Sequence, residues 1–385
     1  MPHAQRADPL DLVEQKVARG ERLSFVDGLA LFESPDLLRI GRMAELARRR
    51  KVGDDVYFVV NRHINYTNIC RNRCRFCAFS RAEGEPGAYS LTVEEVLAKT
   101  RESIEQGATE IHIVGGEHPA LPYADVRAMI AGVRALSPEV HIKAFTASEV
   151  VHFAETEKKP VEQILRDLQA AGLDAMPGGG AEIFAEGVRN EVCPAKISGE
   201  RWLEVHALAH RLGIKTNCTM LYGHIETYED RVDHFLRLRA TQDETGGFQA
   251  FIALAFQPAP GTPLAHLPGT TGVDDLKTMA AARLLLDNFD HIKTYWVMTG
   301  LKLAQIALYF GANDMDGTVV EEVISLMSGA GHGQALSKAE LVRVIQDAGR
   351  VPVERDGHYR TVRRYDGPAA AGAASAGAVP QGAER

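Results

Sequence analysis

Three cysteines, Cys70, Cys74 and Cys77, stand within eight residues of one another in the segment NICRNRCRFCAFS. Thiolates this close in sequence can share one metal centre. Three of them can hold three irons of a [4Fe–4S] cluster, whose complete cysteine set would be four. The fourth iron is then open to a ligand that is not protein, which suits a cluster that does chemistry. Zinc is the alternative. It would need a fourth ligand at tetrahedral geometry, and a second CxxC knuckle is absent, although a nearby histidine could complete the set. Cys193 in VCPAK and Cys218 in TNCTM stand alone, with nothing beside them that marks an activated thiolate, and read as spectators. Five cysteines, an odd number, fit a reducing compartment better than a disulfide framework.

The triad needs a scaffold. Strand-like runs occur at Tyr57–Val60, Ile111–Val114, His141–Phe145, Leu173–Met176, Lys215–Leu221, Phe248–Phe256 and Ile292–Val297. Helical segments lie between them. Thr92-x-x-Glu95 is a capping box, and Val93, Val96, Leu97 and Ile104 follow on one face; Tyr228, Val232, Phe235 and Leu236 form a second such face. Strands alternating with helices predict an α/β fold with a parallel sheet, and repeated βα units predict a TIM-type barrel. In a barrel the C-terminal strand ends meet at one mouth. There the first strand runs into Asn65–Asn68 and the cysteines, the second ends in Gly115–Gly116–Glu117–His118, the fourth in Pro177–Glu182 and the fifth in Tyr222–Gly223–His224. The triple glycine of Pro177–Glu182 lacks the Lys-Ser/Thr of a P-loop, which excludes nucleotide phosphate binding there. Its glycines let backbone approach a ligand, and Glu182 is expected at the start of a helix. His206 and His210 are four apart, but HALAH lacks the glutamate of HExxH, so they read as one side of a surface helix.

Residues 1–55 read as an N-terminal helical extension, 56–298 as the barrel, and 299–365 as an α-rich extension closing it, with NDMDGTVVEE a polar turn. Residues 366–385, rich in small residues, read as a disordered tail. The run Arg48–Lys51 ends a helical pattern, where positive charge complements the helix dipole. A net charge of −8 argues against a nucleic-acid or anionic-membrane surface. No apolar run is long enough to span a bilayer, and the first residues, MPHAQRADPL, lack a signal-peptide core, so a cytoplasmic location is expected.

With Phe76 before the last cysteine, the CxxxCxFC segment resembles the radical S-adenosylmethionine (SAM) superfamily. That resemblance implies a barrel carrying a [4Fe–4S] cluster on Cys70, Cys74 and Cys77. The open iron would bind the amino and carboxylate groups of SAM, and the reduced cluster would cleave SAM to a 5′-deoxyadenosyl radical. Gly115–Gly116–Glu117 resembles the element whose backbone meets the SAM ammonium group. By the same analogy Phe76 packs near adenine, and Glu182 could face the ribose or ammonium group. HINYTNICRNRCRFCAFSR, LDAMPGGGAEIF, TNCTMLYGHIE and TQDETGGFQAFIALAFQP resemble a small subgroup. It comprises aminofutalosine synthases, dehypoxanthine futalosine cyclases and deazaflavin cofactor synthase subunits. VCPAK, HIKTYWVMTGLKLAQIAL and MDGTVVEE look most like the aminofutalosine synthases of menaquinone biosynthesis; the cyclases, which abstract hydrogen and close a ring, are the alternative. The resemblance implies addition of the radical to the vinyl carbon of 3-[(1-carboxyvinyl)oxy]benzoate. Aryl migration and decarboxylation then give 6-amino-6-deoxyfutalosine. It also implies an electron donor such as flavodoxin or ferredoxin. A substrate with two carboxylates wants cationic partners, and the candidates near strand ends are Arg75, Arg81, His63, Lys143 and His224.

Overall fold

The computed structural model describes residues 8–329 and 335–366, so the expected disordered tail lies, but for Asp366, outside the described residues. Among the described residues, eleven strands form one sheet. They are β1 (Asp55–Val59), β2 (Asn61–Asn65), β3 (Glu110–Val114), β4 (His141–Ala144), β5 (Ala175–Met176), β6 (Lys215–Tyr222), β7 (Phe248–Ala255), β8 (His291–Lys293), β9 (Asp314–Gly317), β10 (Val351–Arg355) and β11 (Thr361–Arg364). Their order is β11-β10-β1-β9-β8-β7-β6-β5-β4-β3-β2, parallel throughout except for the β10–β11 pair. The sheet curls back on itself. Just after β9, Val320 accepts a hydrogen bond from His63 N (3.0 Å), and Thr318 Oγ1 donates to Asn61 O (2.9 Å), which joins β2 to the far side as a barrel.

The strands alternate as a pleat demands. On β3, Ile111 and Ile113 enter the apolar core, while Glu110, His112 and Val114 line a central cavity. The interior of this barrel is therefore polar on β3, and the apolar core lies between strands and helices. The helix Val93–Glu105 opens on the expected Thr92/Glu95 capping box. The helices Pro9–Arg19, Phe25–Glu33 and Leu37–Val52 form the N-terminal extension, and the last two pack on the helix Gly272–Leu285. Arg48 does more than complement a dipole: it is buried, ion-paired to Glu45, and donates to Gly53 O (2.7 Å) at the end of its own helix.

Three expectations need correction. The first strand is two strands split at Val60, with β1 paired to β9 and β10 and β2 paired to β3. The segment after residue 298 holds the expected helices, Leu301–Ala307 and Lys338–Asp347, but also β9, β10 and β11. The first part of the expected polar turn is β9, whose Asp314 and Asp316 are buried because Arg355 and Lys293 neutralise them, at 2.9 and 2.7 Å. Finally, His206 is buried, its ring against Trp202, and His210 bonds Thr216 and Thr245, so this helix face is core and not surface.

Candidate active site

At the C-terminal end of the barrel lies a cavity of about 300 Å³. The loop after β2 brings Cys70, Cys74, Phe76 and Cys77 to its rim. Leu91 N bonds Tyr66 O (2.7 Å), Cys70 N bonds Arg81 O (3.0 Å) and Arg81 N bonds Asn68 O (2.8 Å), so the loop is closed by its own backbone. All five cysteines are free thiols. Burial pushes Cys70 up and Cys77 up to about 11, so without a metal these sulfurs keep their protons. Three soft donors on one wall fit an iron–sulfur cluster or zinc, and the same wall offers a compensating charge. Lys196 Nζ stands 2.6 Å from Glu182. Burial opposes its charge, but Cys74 and Glu182 outweigh burial and hold Lys196 well above the ordinary lysine range.

The strand-end glycines sit where backbones meet closely. A Cβ on Gly116 would lie 2.3 Å from Ile69 O, and one on Gly178 would lie 2.5 Å from the Cys218 Cα. Here glycine lets two backbones touch, and at Gly116 it presses the end of β3 onto the cysteine loop. Glu117 completes that clamp. Its backbone carbonyl accepts from Arg71 N (3.1 Å), and its buried carboxylate accepts from Arg71 Nε (3.0 Å), Asn72 and Ser148. Gly115 N donates to Glu149 Oε1 (3.1 Å), which Tyr66 also reaches, and burial raises Glu149 to about 7. Gly116→Ala is therefore expected to displace the cysteine loop. The protein should lose several degrees of melting temperature and most of its reconstituted iron, because a backbone carbonyl cannot step aside. Gly187, with nothing within 4 Å of a built Cβ, is the matched control, and Gly187→Ala should change neither reading.

Deeper in the cavity is a polar row. His63, His112 and Lys143 are register partners across β2, β3 and β4, so their side chains share the inner face. Lys143 pairs with Glu110 (2.6 Å), and Lys293 from β8 pairs with Asp316 (2.7 Å). Burial would raise Asp316, but its pairing with Lys293 holds it at about 2. Burial lowers His63 and His112, whose rings lie 4.3 Å apart, so both are neutral near pH 7. The Oδ1 of Asn217, buried on the same wall, has no partner.

Of the five candidate carboxylate partners, His63 and Lys143 border the cavity and Arg75, Arg81 and His224 do not. Arg75 reaches out to Glu191 (3.4 Å), and Arg81 donates to the carbonyls of Ala78 and Ser80. The buried His224 ring is taken up by Leu221 O and by Ile225 N, which donates to its Nδ1 (2.8 Å). Long side chains in a loop turn to the nearest acceptors, which position in the chain does not reveal. Cys193, read as a spectator, packs against Cys74 in a small apolar cluster, a proximity the sequence does not reveal. Glu182 precedes its helix, Glu186–Val192, by a stretch of loop and takes φ +46°, held by Lys196. Sequence reasoning missed His112, Lys293, Asp316 and Lys196. The available signals were the two-residue alternation Glu110–His112–Val114 and the lysine of VCPAK.

Comparison with known proteins adds independent information. Residues 64–238 match the model of the radical SAM superfamily, and 245–366 match that of the CofH/MqnC C-terminal region. The chain is 51% identical over 358 residues to aminodeoxyfutalosine synthase of Thermus thermophilus, covering 92% of this chain and 96% of that protein. It is 45% identical to aminodeoxyfutalosine synthase of Streptomyces coelicolor, covering 92% and 95%. It is 42% identical to a 5-amino-6-(D-ribitylamino)uracil–L-tyrosine 4-hydroxyphenyl transferase of Methanopyrus kandleri, covering 86% and 90%. Among solved structures, methylornithine synthase superposes with a TM-score of 0.71 at 18% identity, over 88% of this chain and 97% of that one, which supports the fold alone.

Proposed function

The chain belongs to the radical SAM superfamily, and on that premise we propose that it carries out the aminodeoxyfutalosine synthase reaction. The observation that carries this reading is the 51% identity over nearly the whole of both chains. Members of the superfamily use a [4Fe–4S] cluster and SAM, which together supply one-electron cleavage of SAM. The proposed cluster ligands are Cys70, Cys74 and Cys77, which border one cavity. Phe76, Gly115, Gly116, Glu117 and Glu182, on the same rim, form the proposed SAM face. Lys196 offsets the negative charge gathered there.

The substrate in this reading is 3-[(1-carboxyvinyl)oxy]benzoate. Its carboxylates find cationic and N–H donors on the inner row: Lys143 and His63, joined by Lys293 and His112. The row is close to neutral as it stands, since Glu110 and Asp316 cancel the two lysines. An anionic substrate thus competes for ammonium groups that are already paired. Apolar residues limit water: Phe76, Leu254, Phe256 and Met298 line the same cavity. A reactive carbon in such a place meets the bound partner and little else.

One assay tests the reading. The reconstituted, reduced enzyme is given SAM and the enolpyruvyl benzoate, and products are followed by mass spectrometry. A product holding both adenosine and benzoate atoms is expected. Release of 5′-deoxyadenosine without that adduct, together with turnover of dehypoxanthine futalosine, would sink it in favour of the cyclase. No helix among the described residues is long and apolar enough to cross a membrane.

A further inference from the structure

At the opposite end of the barrel from the cysteines, the β10–β11 turn folds into the base. Tyr359 stacks on His291 with ring centres 3.9 Å apart, and donates to Asp314 Oδ2 (2.9 Å). Gln249 Nε2 donates to Gly357 O (3.2 Å). Gly357 is pressed so close to His141 that a Cβ there would lie 2.2 Å from the ring. The next residue, His358, sets its ring edge-on to His141, with centres 4.5 Å apart.

His141 lies one step nearer the base than Lys143 on the inner face of β4. It is 1% exposed, and neither ring nitrogen has a hydrogen-bond partner. Glu110 Oε2 is 3.7 Å from Nδ1, beyond hydrogen-bond reach, and is already taken by Lys143. A buried imidazole with two idle nitrogens is unusual, since buried polar atoms nearly always find partners. Asp174 sits beside it. Its Oδ2 accepts from Ile142 N (2.7 Å) and from Arg134, and among the described residues its Oδ1 accepts nothing. Ligand atoms of His141, Asp174 and His358 all lie within 4.8 Å of one another. Two imidazoles and a carboxylate are the donor set of an open divalent site of the zinc type.

We propose that His141, Asp174 and His358 form a second metal site, independent of the cysteine centre, that takes a divalent cation of zinc type. It keeps water as fourth ligand on the side of the open depression bordered by Asp174 and His358. Zinc–nitrogen bonds of about 2.0–2.1 Å require the three ligand atoms to draw together from their present spread. His358 is exposed and can make that movement, whereas His141 is fixed by Gly357 and the barrel wall. The bound ion ties the β10–β11 turn to β4 and to the start of β5, and so locks the base of the barrel. Burial lowers His141 to about 3, which leaves the ring neutral, as a metal ligand must be. Arg134 donates to the Asp174 carboxylate, so the ion shares that ligand with a guanidinium.

The inference does not rest on the proposed reaction, and its test does not read activity. The cluster-loaded protein, with the visible absorption of the cluster monitored throughout, is titrated with Zn²⁺ by calorimetry. One zinc per chain is expected to bind and to raise the melting temperature. In His358→Ala, affinity should fall by at least about 100-fold, and the zinc-dependent rise should vanish. Because His358 is exposed, the zinc-free melting temperatures of the two proteins should agree, which separates lost binding from lost folding. Crystals soaked in zinc should show anomalous scattering between His141 and His358. Equal zinc uptake by both proteins, no uptake by the parent protein, or an anomalous peak elsewhere would each overturn the proposal.

Discussion

Cys74→Ala is expected to give a colourless protein whose iron falls from about four per chain to background and whose SAM cleavage stops. Three thiolates are the whole protein contribution to the proposed cluster, so removing one takes a third of its anchoring. The neighbours cannot fill in. Phe76 and Phe256 are apolar, and Lys196 is a cation held by Glu182. The one thiol within reach is Cys193, which packs against Cys74 and makes this variant the sharper test. Cys193 packs against Cys74 but does not border the cavity. Cys193→Ala is therefore expected to keep its iron and to hold activity within a few-fold of the parent. Iron content by colorimetric assay and the visible spectrum after anaerobic reconstitution check both. If Cys193→Ala bleaches as fully as Cys74→Ala, the ligand set includes a fourth sulfur and no iron is left open for SAM.

Lys143→Met is expected to raise KM for the enolpyruvyl benzoate by about 10–100-fold, corresponding to the loss of a charge-assisted hydrogen bond worth about 1.5–3 kcal/mol. The same change strands Glu110, a buried carboxylate, and should cost about 3–5 kcal/mol of stability. Glu110 is held well below the usual carboxylate range, since Lys143 outweighs the effect of burial. The two effects separate in a double variant. Lys143→Met with Glu110→Gln removes the pair together, so melting temperature should recover while KM stays high. Recovery of both would mean that Lys143 serves the fold and that another group receives the carboxylate. Lys293, whose paired Asp316 borders the same cavity, is then the next to test.

The chemistry of the rim was legible in the chain because it is local. Cys70, Cys74, Phe76 and Cys77 sit in one loop, and the capping box at Thr92 and the alternation on β3 are set by neighbours a few residues away. A parallel barrel brings every C-terminal strand end to one mouth, so strand order along the chain suffices to place Gly115–Glu117 and Glu182 there. Subgroup motifs narrowed the reaction further. What the chain alone could not say was which charged side chains face inward. Arg75, Arg81, His63, Lys143 and His224 look equivalent in sequence, yet only His63 and Lys143 border the cavity. Long side chains take whatever acceptor the packed loops present, and those acceptors come from distant segments. The same holds for β9. DMDG reads as a turn until Lys293 and Arg355, from strands β8 and β10, neutralise its aspartates and let them be buried. His358 reaches His141 only because a late hairpin plugs the barrel base, more than 200 residues beyond β4. Local spacing determined the kind of chemistry, and tertiary closure decided which residues surround it, because burial and charge pairing are settled between segments far apart in the chain.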